Sequence, residues 1–263
     1  MKKYLYVFKS EVMTNFQYVF NLLFGFVGYA IMLFILYNMY KYLYSDPSEL
    51  INGYSYSQMI WYVLLTEVMW SSVGGRKLCR KITEDVKSGN IAYNISKPYS
   101  YIGYILSNHM ADVVVKGIFY FAISIILGVA FLGALPNITL VQLVFVLISC
   151  LLANVISIFI LTFIGLFSFY IEDSGPFYWV YSKLILVFST IFPIEYFPKV
   201  MQPILKLSPA YVVSYGPAKL YVDFSWNNLA VILFAQIIYI LITYLLCSLI
   251  YRKGVKKLSV NGG

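Results

Sequence analysis

Six long apolar runs, at about residues 16–40, 57–73, 113–135, 140–170, 177–194 and 227–251, decide what solvent this chain folds in. A helix needs about 20 mostly apolar residues to cross a bilayer, where backbone polar groups have to be bonded within the protein. Only 11% of the residues are charged and 61% are apolar, whereas soluble domains carry about a quarter charged residues. The expected fold class is all-α integral membrane, with six transmembrane helices. The third run extends back as helix to Tyr101, and the fourth is long enough to tilt or to project. A net charge of +8 then marks loop topology and gives no sign of nucleic-acid binding.

Lysine and arginine set the orientation. With the N-terminus inside, Lys2, Lys3, Lys9, Arg76, Lys77, Arg80, Lys81, Lys87, Lys97, Arg252, Lys253, Lys256 and Lys257 are cytoplasmic, and Lys41, Lys199, Lys206 and Lys219 are outside. That bias predicts that both termini face the cytoplasm. MKKYLYVFKSEV is too broken by polar residues for the apolar core of a signal peptide. Instead, Leu5, Phe8, Val12, Phe16 and Val19 recur at helical spacing, beside a polar stripe of Ser10, Thr14, Gln17 and Asn21. Residues 1–15 read as an amphipathic interfacial helix, or as the ordinary start of the first span.

Segment 193–223 holds five of the nine prolines, yet also Val200, Met201, Ile204, Leu205 and Leu207. Proline breaks helices, and a solvated loop would be more polar. Short broken helices that re-enter the outer leaflet are expected. The loop 41–56 is short and polar, and the turns at 136–139 and 171–176 are too small for a domain.

The one sizeable internal charged stretch is GRKLCRKITEDVKSGNIAYNISKPYS, residues 75–100. Thr83 is the expected N-cap, with Glu84 and Asp85 in the first turn. Ser88-Gly89-Asn90 is a stop signal, and Lys97-Pro98 leads back to the membrane. The island reads either as a cytoplasmic helix tethered closely enough to transmit a push, or as a solvated, topology-setting loop.

Few other groups suggest chemistry. Glu67 lies mid-span, so it faces protein or water, as a pathway or subunit-interface residue or as a neutral packing group. His109, Asp112 and Lys116 share one helix face, with Asp112 and Lys116 able to pair. Glu172 and Asp173 either cap the fifth span or meet a basic partner. Cys79, Cys150 and Cys247 suit inert thiols. A lone histidine offers no metal site. The 26 tyrosines fit an interface belt or a ring-binding pathway. No phosphate-cradling loop, G-x-S-x-G elbow or H-E-x-x-H is present. The chain is therefore not expected to be an enzyme, and energy has to come from another chain.

Three features carry a family resemblance. EDVKSGNIAYNISKP, residues 84–98, has an acidic–x–x–x–S–G–x–I pattern ending in proline. PAYVVSYGPAKL, residues 209–220, precedes the last span. The layout adds an interfacial start, six spans and a broken segment between spans five and six. Together they resemble the small six-span permease subunits of ABC-2 type transporters, along nearly the whole chain. The resemblance implies a single transmembrane domain, 1–263, in a bacterial-type cell membrane. It implies a permease subunit of an ATP-driven exporter, working as a dimer with an identical or homologous permease. It also implies two copies of an ABC ATP-binding subunit, which carry ATP and Mg, no cofactor being held by this chain. Carried over, the ATPase-coupling positions are Glu84, Asp85, Lys87, Gly89, Asn90 and Ile91. The alternatives are a membrane enzyme acting on lipid-linked substrates and a non-transporting regulatory subunit.

Overall fold

The computed structural model describes residues 2–17, 19–44, 46, 48–95 and 97–261, with side chains except at 19–24, 92, 95 and 257–261. The predicted stripe positions Val19 and Asn21, along with Lys257 and Ser96, fall outside that description. Among the described residues the chain is all-helical, with no strand. Four stretches are long and apolar enough to cross a membrane: Gly25–Leu43, Tyr101–Leu132, Leu140–Phe169 and Trp226–Lys256.

Helix α1 (Lys2–Gln17) precedes α2 (Val19–Leu43). The expected stripe on α1 divides. Phe8 and Val12 are half-buried, whereas Leu5 and Phe16 remain exposed. The face that packs is turned toward Tyr4, Val7, Glu11 and Asn15, because α1 docks on the start of α6 (Tyr101–Leu132). There the Tyr4 hydroxyl accepts from the Ser100 amide at 3.0 Å, and Asn108 donates to Glu11 at 2.6 Å.

Helix α3 (Tyr56–Val73) is the axis of the bundle. Ser55 and Gln58 form a capping box at its start, as expected when a polar pair precedes an apolar run. Every residue from Met59 to Met69 is buried. A helix enclosed by protein need not be lipid-compatible on its surface, so α3 tolerates Glu67, Thr66 and three serines and falls outside the four apolar stretches.

The island folds as α4 (Gly75–Lys87) and α5 (Asn90–Ile95). This corrects the expected start: Thr83 is no N-cap but a buried mid-helix residue, and Glu84 and Asp85 lie in the last turn. Leu78, Cys79, Ile82, Thr83 and Val86 are buried along one face. Burying each large apolar side chain contributes about 1.5–3 kcal/mol, whereas acids at the wrong helix end cost about 0.3–1 kcal/mol each. Packing therefore sets the boundaries. The stop at Ser88 and Gly89 is as expected, with Gly89 at φ 75°.

Helix α7 (Leu140–Leu166) ends in a 3-10 turn, Phe167–Phe169, and α8 (Gly175–Ile185) continues as a π turn, Leu186–Ile191. The proline-rich segment forms a 3-10 turn at Ile194–Tyr196, α9 (Gln202–Lys206), a π turn at Tyr211–Tyr215 and α10 (Gly216–Val222). These are the expected short broken helices, and Ile194, Val212, Ala218 and Leu220 are buried core. Helix α11 (Trp226–Asn261) runs ten residues beyond the expected end of the last run.

Two large apolar cores result. One centres on α3 with the end of α2, the proline-rich segment and α10. The other joins α4, the start of α6 and the end of α7. The loop 41–56 is not merely a polar connection: Tyr44 and Tyr54 are buried and bond to each other, the Tyr44 hydroxyl donating to the Tyr54 carbonyl at 2.9 Å.

Candidate functional site

A joint between α3 and α4 organises the site. Gly74 has φ 55°, ψ 44°, a left-handed conformation that costs an L-residue about 1–2 kcal/mol and suits glycine. It ends one helix and begins the next, so α4 folds back under the bundle. Three contacts then fix α4. Thr83 bonds with the hydroxyls of Ser174 at 2.7 Å and Ser168 at 2.9 Å, tying it to the α7–α8 turn. The Cys79 thiol donates to the Leu161 carbonyl at 3.3 Å. Ile82 lies against Gly165, where an added Cβ would stand 2.8 Å from the Ile82 Cβ. Only a glycine lets α7 approach α4 so closely. Burial pushes the Cys79 thiol up to about 12, which leaves it neutral and inert.

The buried polar residues of α6 hold the same joint from the other side. His109 Nε2 donates to the Val73 carbonyl at 2.6 Å. The Asp112 carboxylate pairs with Lys116 at 3.0 Å, as expected, and also reaches Lys77 of α4 at 3.6 Å. These groups brace the helix joint. Asp173, exposed in the α7–α8 turn, accepts from the Gly175 amide at 3.0 Å at the start of α8.

The six expected coupling positions divide by exposure. Glu84, Lys87, Gly89 and Asn90 are exposed together at the far edge of α4, where Glu84 pairs with Arg80 at 2.8 Å. Asp85 is half-buried and accepts from the Tyr101 hydroxyl at 2.9 Å, while Ile91 is fully buried. A groove of about 470 Å³ beside the exposed edge is lined by Arg80, Thr83, Glu84, Lys87, Asp173 and Trp179.

A cavity of about 660 Å³ lies above the joint. Arg76, Lys77 and Arg80 line its island end. Glu67, Tyr29, Tyr120, Asn154 and Ser157 line its depth, and Thr190, Val213 and Ser214 its far part. Glu67 is 3% exposed. Its Oε1 accepts from Ser71 at 3.0 Å, and its Oε2 has no hydrogen-bond partner. Glu67 and the island, far apart in the expectations from sequence, thus share one space.

The two π turns line the far part of the cavity through Thr190, Val213 and Ser214. Ser214 donates to the Ser189 carbonyl at 3.3 Å. Tyr62 donates to Ser189, Thr66 to Thr190 and Tyr40 to Ile191, at 2.6, 2.9 and 2.6 Å. A π turn leaves carbonyls out of α-helical register, and once buried such groups need partners from the protein. Beyond it, Glu195 accepts from Tyr215 at 2.6 Å and Tyr54 at 3.0 Å, with Lys219 3.6 Å away.

Sequence reasoning missed this second layer. Several tyrosines are neither an interface belt nor a ring-binding path but internal braces. Glu195 and Gln236 gave no signal, although Gln236 is fully buried and donates to the Ser149 and Val212 carbonyls. An isolated amide in an apolar run was the available hint. Among the described residues no cluster of His, Cys, Asp or Glu suits a metal ion.

The family described as ABC-2 family transporter protein matches residues 16–262. No curated relative matches the chain. Members of this family are membrane components of transport, and such a permease implies a partner that binds ATP. The all-helical bundle, the apolar crossing stretches and a match along almost the full length agree: this chain belongs to the ABC-2 transporter family.

Proposed function

We propose that the chain is the transmembrane permease subunit of an ATP-driven exporter. It forms the substrate pathway as a dimer of permeases, identical or homologous, with two copies of a separate ATP-binding subunit that carry ATP and Mg. In this reading α2, α3, α6, α7, α8 with its π turn, and α11 are the six spans of a bacterial-type cell membrane. Both termini and the island are cytoplasmic, and segment 193–223 is the re-entrant outer element.

The observation that carries the reading is the two-sidedness of α4. Its buried face is locked to α7 at Gly165, to the α7–α8 turn at Ser174 and to α3 through Gly74. Its opposite edge presents Glu84, Lys87, Gly89 and Asn90. A force on that edge reaches three spans at once. Glu84, Lys87 and Asn90 are the contacts with the ATP-binding subunit, while Asp85 and Ile91 hold α4 and α5 in place.

The test is co-expression with the ATP-binding subunit, followed by ATPase and vesicle transport assays. Glu84→Lys, or two glycines inserted after Gly89, should lower permease-dependent ATPase stimulation by about tenfold, an interface loss of ~1.4 kcal/mol, with the complex still inserted. Unchanged stimulation overturns the docking assignment. Transport that vanadate inhibits supports an exporter over a regulatory subunit.

A further inference from the structure

The cavity above the α3–α4 joint has a polarity of its own. At its depth sits a carboxylate group, Glu67, with one oxygen bonded to Ser71 and the other unpartnered at 3% exposure. Leaving a buried polar atom without a partner is costly, and this oxygen is closed off even from water, so a donor in the cavity meets Glu67 on the part of the carboxyl group that lines it. Tyr29 and Tyr120, stacked with centroids 4.8 Å apart, line the same depth. At the other end stand three cationic side chains, Arg76, Lys77 and Arg80. Lys77 and Arg80 have acidic neighbours, Asp112 and Glu84, whereas Arg76 forms no ion pair among the described residues.

These two ends select against simple ligands. A plain cation meets a basic entrance, and a plain anion meets the Glu67 carboxylate. A molecule with an amine at one end, an anionic group at the other and an apolar or aromatic middle matches both. From Glu67 to Gly74 is roughly 10 Å of helix at 1.5 Å per residue, a span that a chain of several carbons or an aromatic dipeptide covers. The cavity volume of about 660 Å³ falls in the usual range of 300–1,000 Å³ for small-molecule sites.

We infer that this cavity binds a zwitterionic amphiphile, its primary amine donating to the Glu67 carboxylate and its anionic group held at Arg76. The amine is the discriminating group, because Glu67 is the one carboxylate lining the cavity among the described residues. The inference names the ligand class of the pathway proposed above and rests on that reading. It is tested without ATP or an ATP-binding subunit, so failed binding overturns the ligand class and leaves the coupling assignment standing.

The experiment is native mass spectrometry of the purified full chain in detergent, titrated with two probes: lysophosphatidylethanolamine, and a phenylalanine dipeptide with free termini. Each is paired with its N-acetylated form. At least one free-amine probe should bind about tenfold or more tighter than its N-acetylated form, a gap of ~1.4 kcal/mol. Preference for the lysolipid assigns the source to membrane lipid, and preference for the dipeptide assigns it to peptides; either supports the inference. Glu67→Gln, checked for unchanged helicity and gel-filtration profile, should erase the discrimination. Arg76→Gln should weaken the anionic probes severalfold and leave a long-chain amine without an anionic group unaffected. Equal binding of free and acetylated probes, no binding of either, or intact discrimination in Glu67→Gln overturns it.

Discussion

His109 Nε2 donates to the Val73 carbonyl at 2.6 Å, so a side chain of α6 holds the last residue of α3. The bond sits where the chain turns through Gly74 into α4. Removing the donor leaves a buried carbonyl unsatisfied at about 1–3 kcal/mol. His109→Ala should therefore lower the thermal midpoint in detergent by several degrees. His109→Gln, which retains a donor, should recover part of the loss. Equal midpoints for wild type and His109→Ala would remove the bracing role.

Gly165 and Ile82 should behave as a coupled pair. Gly165→Ala places a methyl 2.8 Å from the Ile82 Cβ and should destabilise by about 1–3 kcal/mol through overpacking. Ile82→Ala alone should also destabilise, by loss of buried surface. The double variant should be more stable than the sum of the two losses, as neighbouring sites are non-additive. Strict additivity in a denaturation cycle would show that the helices do not touch here.

The π turn at Leu186–Ile191 depends on hydroxyls from α2 and α3. Tyr62→Phe and Thr66→Val each remove one donor from a buried carbonyl. Thr66→Val should cost about 1–3 kcal/mol, Tyr62→Phe less because Ser214 still donates to the Ser189 carbonyl, and both should increase hydrogen exchange across residues 186–191. Unchanged exchange would mean that the turn holds itself.

Glu195 joins three elements through Tyr54, Tyr215 and Lys219. Glu195→Ala should loosen the loop at Asn52-Gly53 and speed its proteolysis. Glu195→Gln, which keeps acceptor capacity, should be intermediate. Identical cleavage rates in all three proteins would contradict the network.

Cys79 is the thiol that reports on α4 docking. Burial raises its titration to about 12, so the thiolate is scarce between pH 7 and 9 and the thiol is also shielded. Maleimide at pH 8 should leave Cys79 unmodified in folded protein and label it after unfolding, as located by peptide mass spectrometry. Gly165→Ala should increase its labelling. Rapid labelling of folded wild-type protein would show that α4 is not seated.

Much of the layout was legible in the residues. The runs at 57–73 and 140–170 became α3 and α7 almost at their expected ends, since apolar length and capping residues such as Ser55 and Thr139 act locally. The break at Ser88-Gly89 was legible for the same reason. The start of α4 was not. A capping pattern at Thr83 is a short-range signal of about 1 kcal/mol, and burial of Leu78, Ile82 and Val86 against α7 outweighs it. Glu67 stood out as a mid-span charge, whereas its company could not be foreseen, because Tyr29, Asn154 and Arg76 come from separate helices.

The sequence by itself determined the solvent, the helical class and the position of one tethered polar segment. These follow from apolar run length and charge placement, which need no tertiary contact. Tertiary structure decided which face of α4 is free, why α3 is enclosed, and that Glu67 and Arg76 line one cavity. Helices carry little information about their neighbours when nearly every face is apolar. The choice falls to a few close contacts and buried bonds: Gly165 against Ile82, His109 to Val73, Thr66 to Thr190. Their partners are distant in sequence, and they exist only once the bundle has formed.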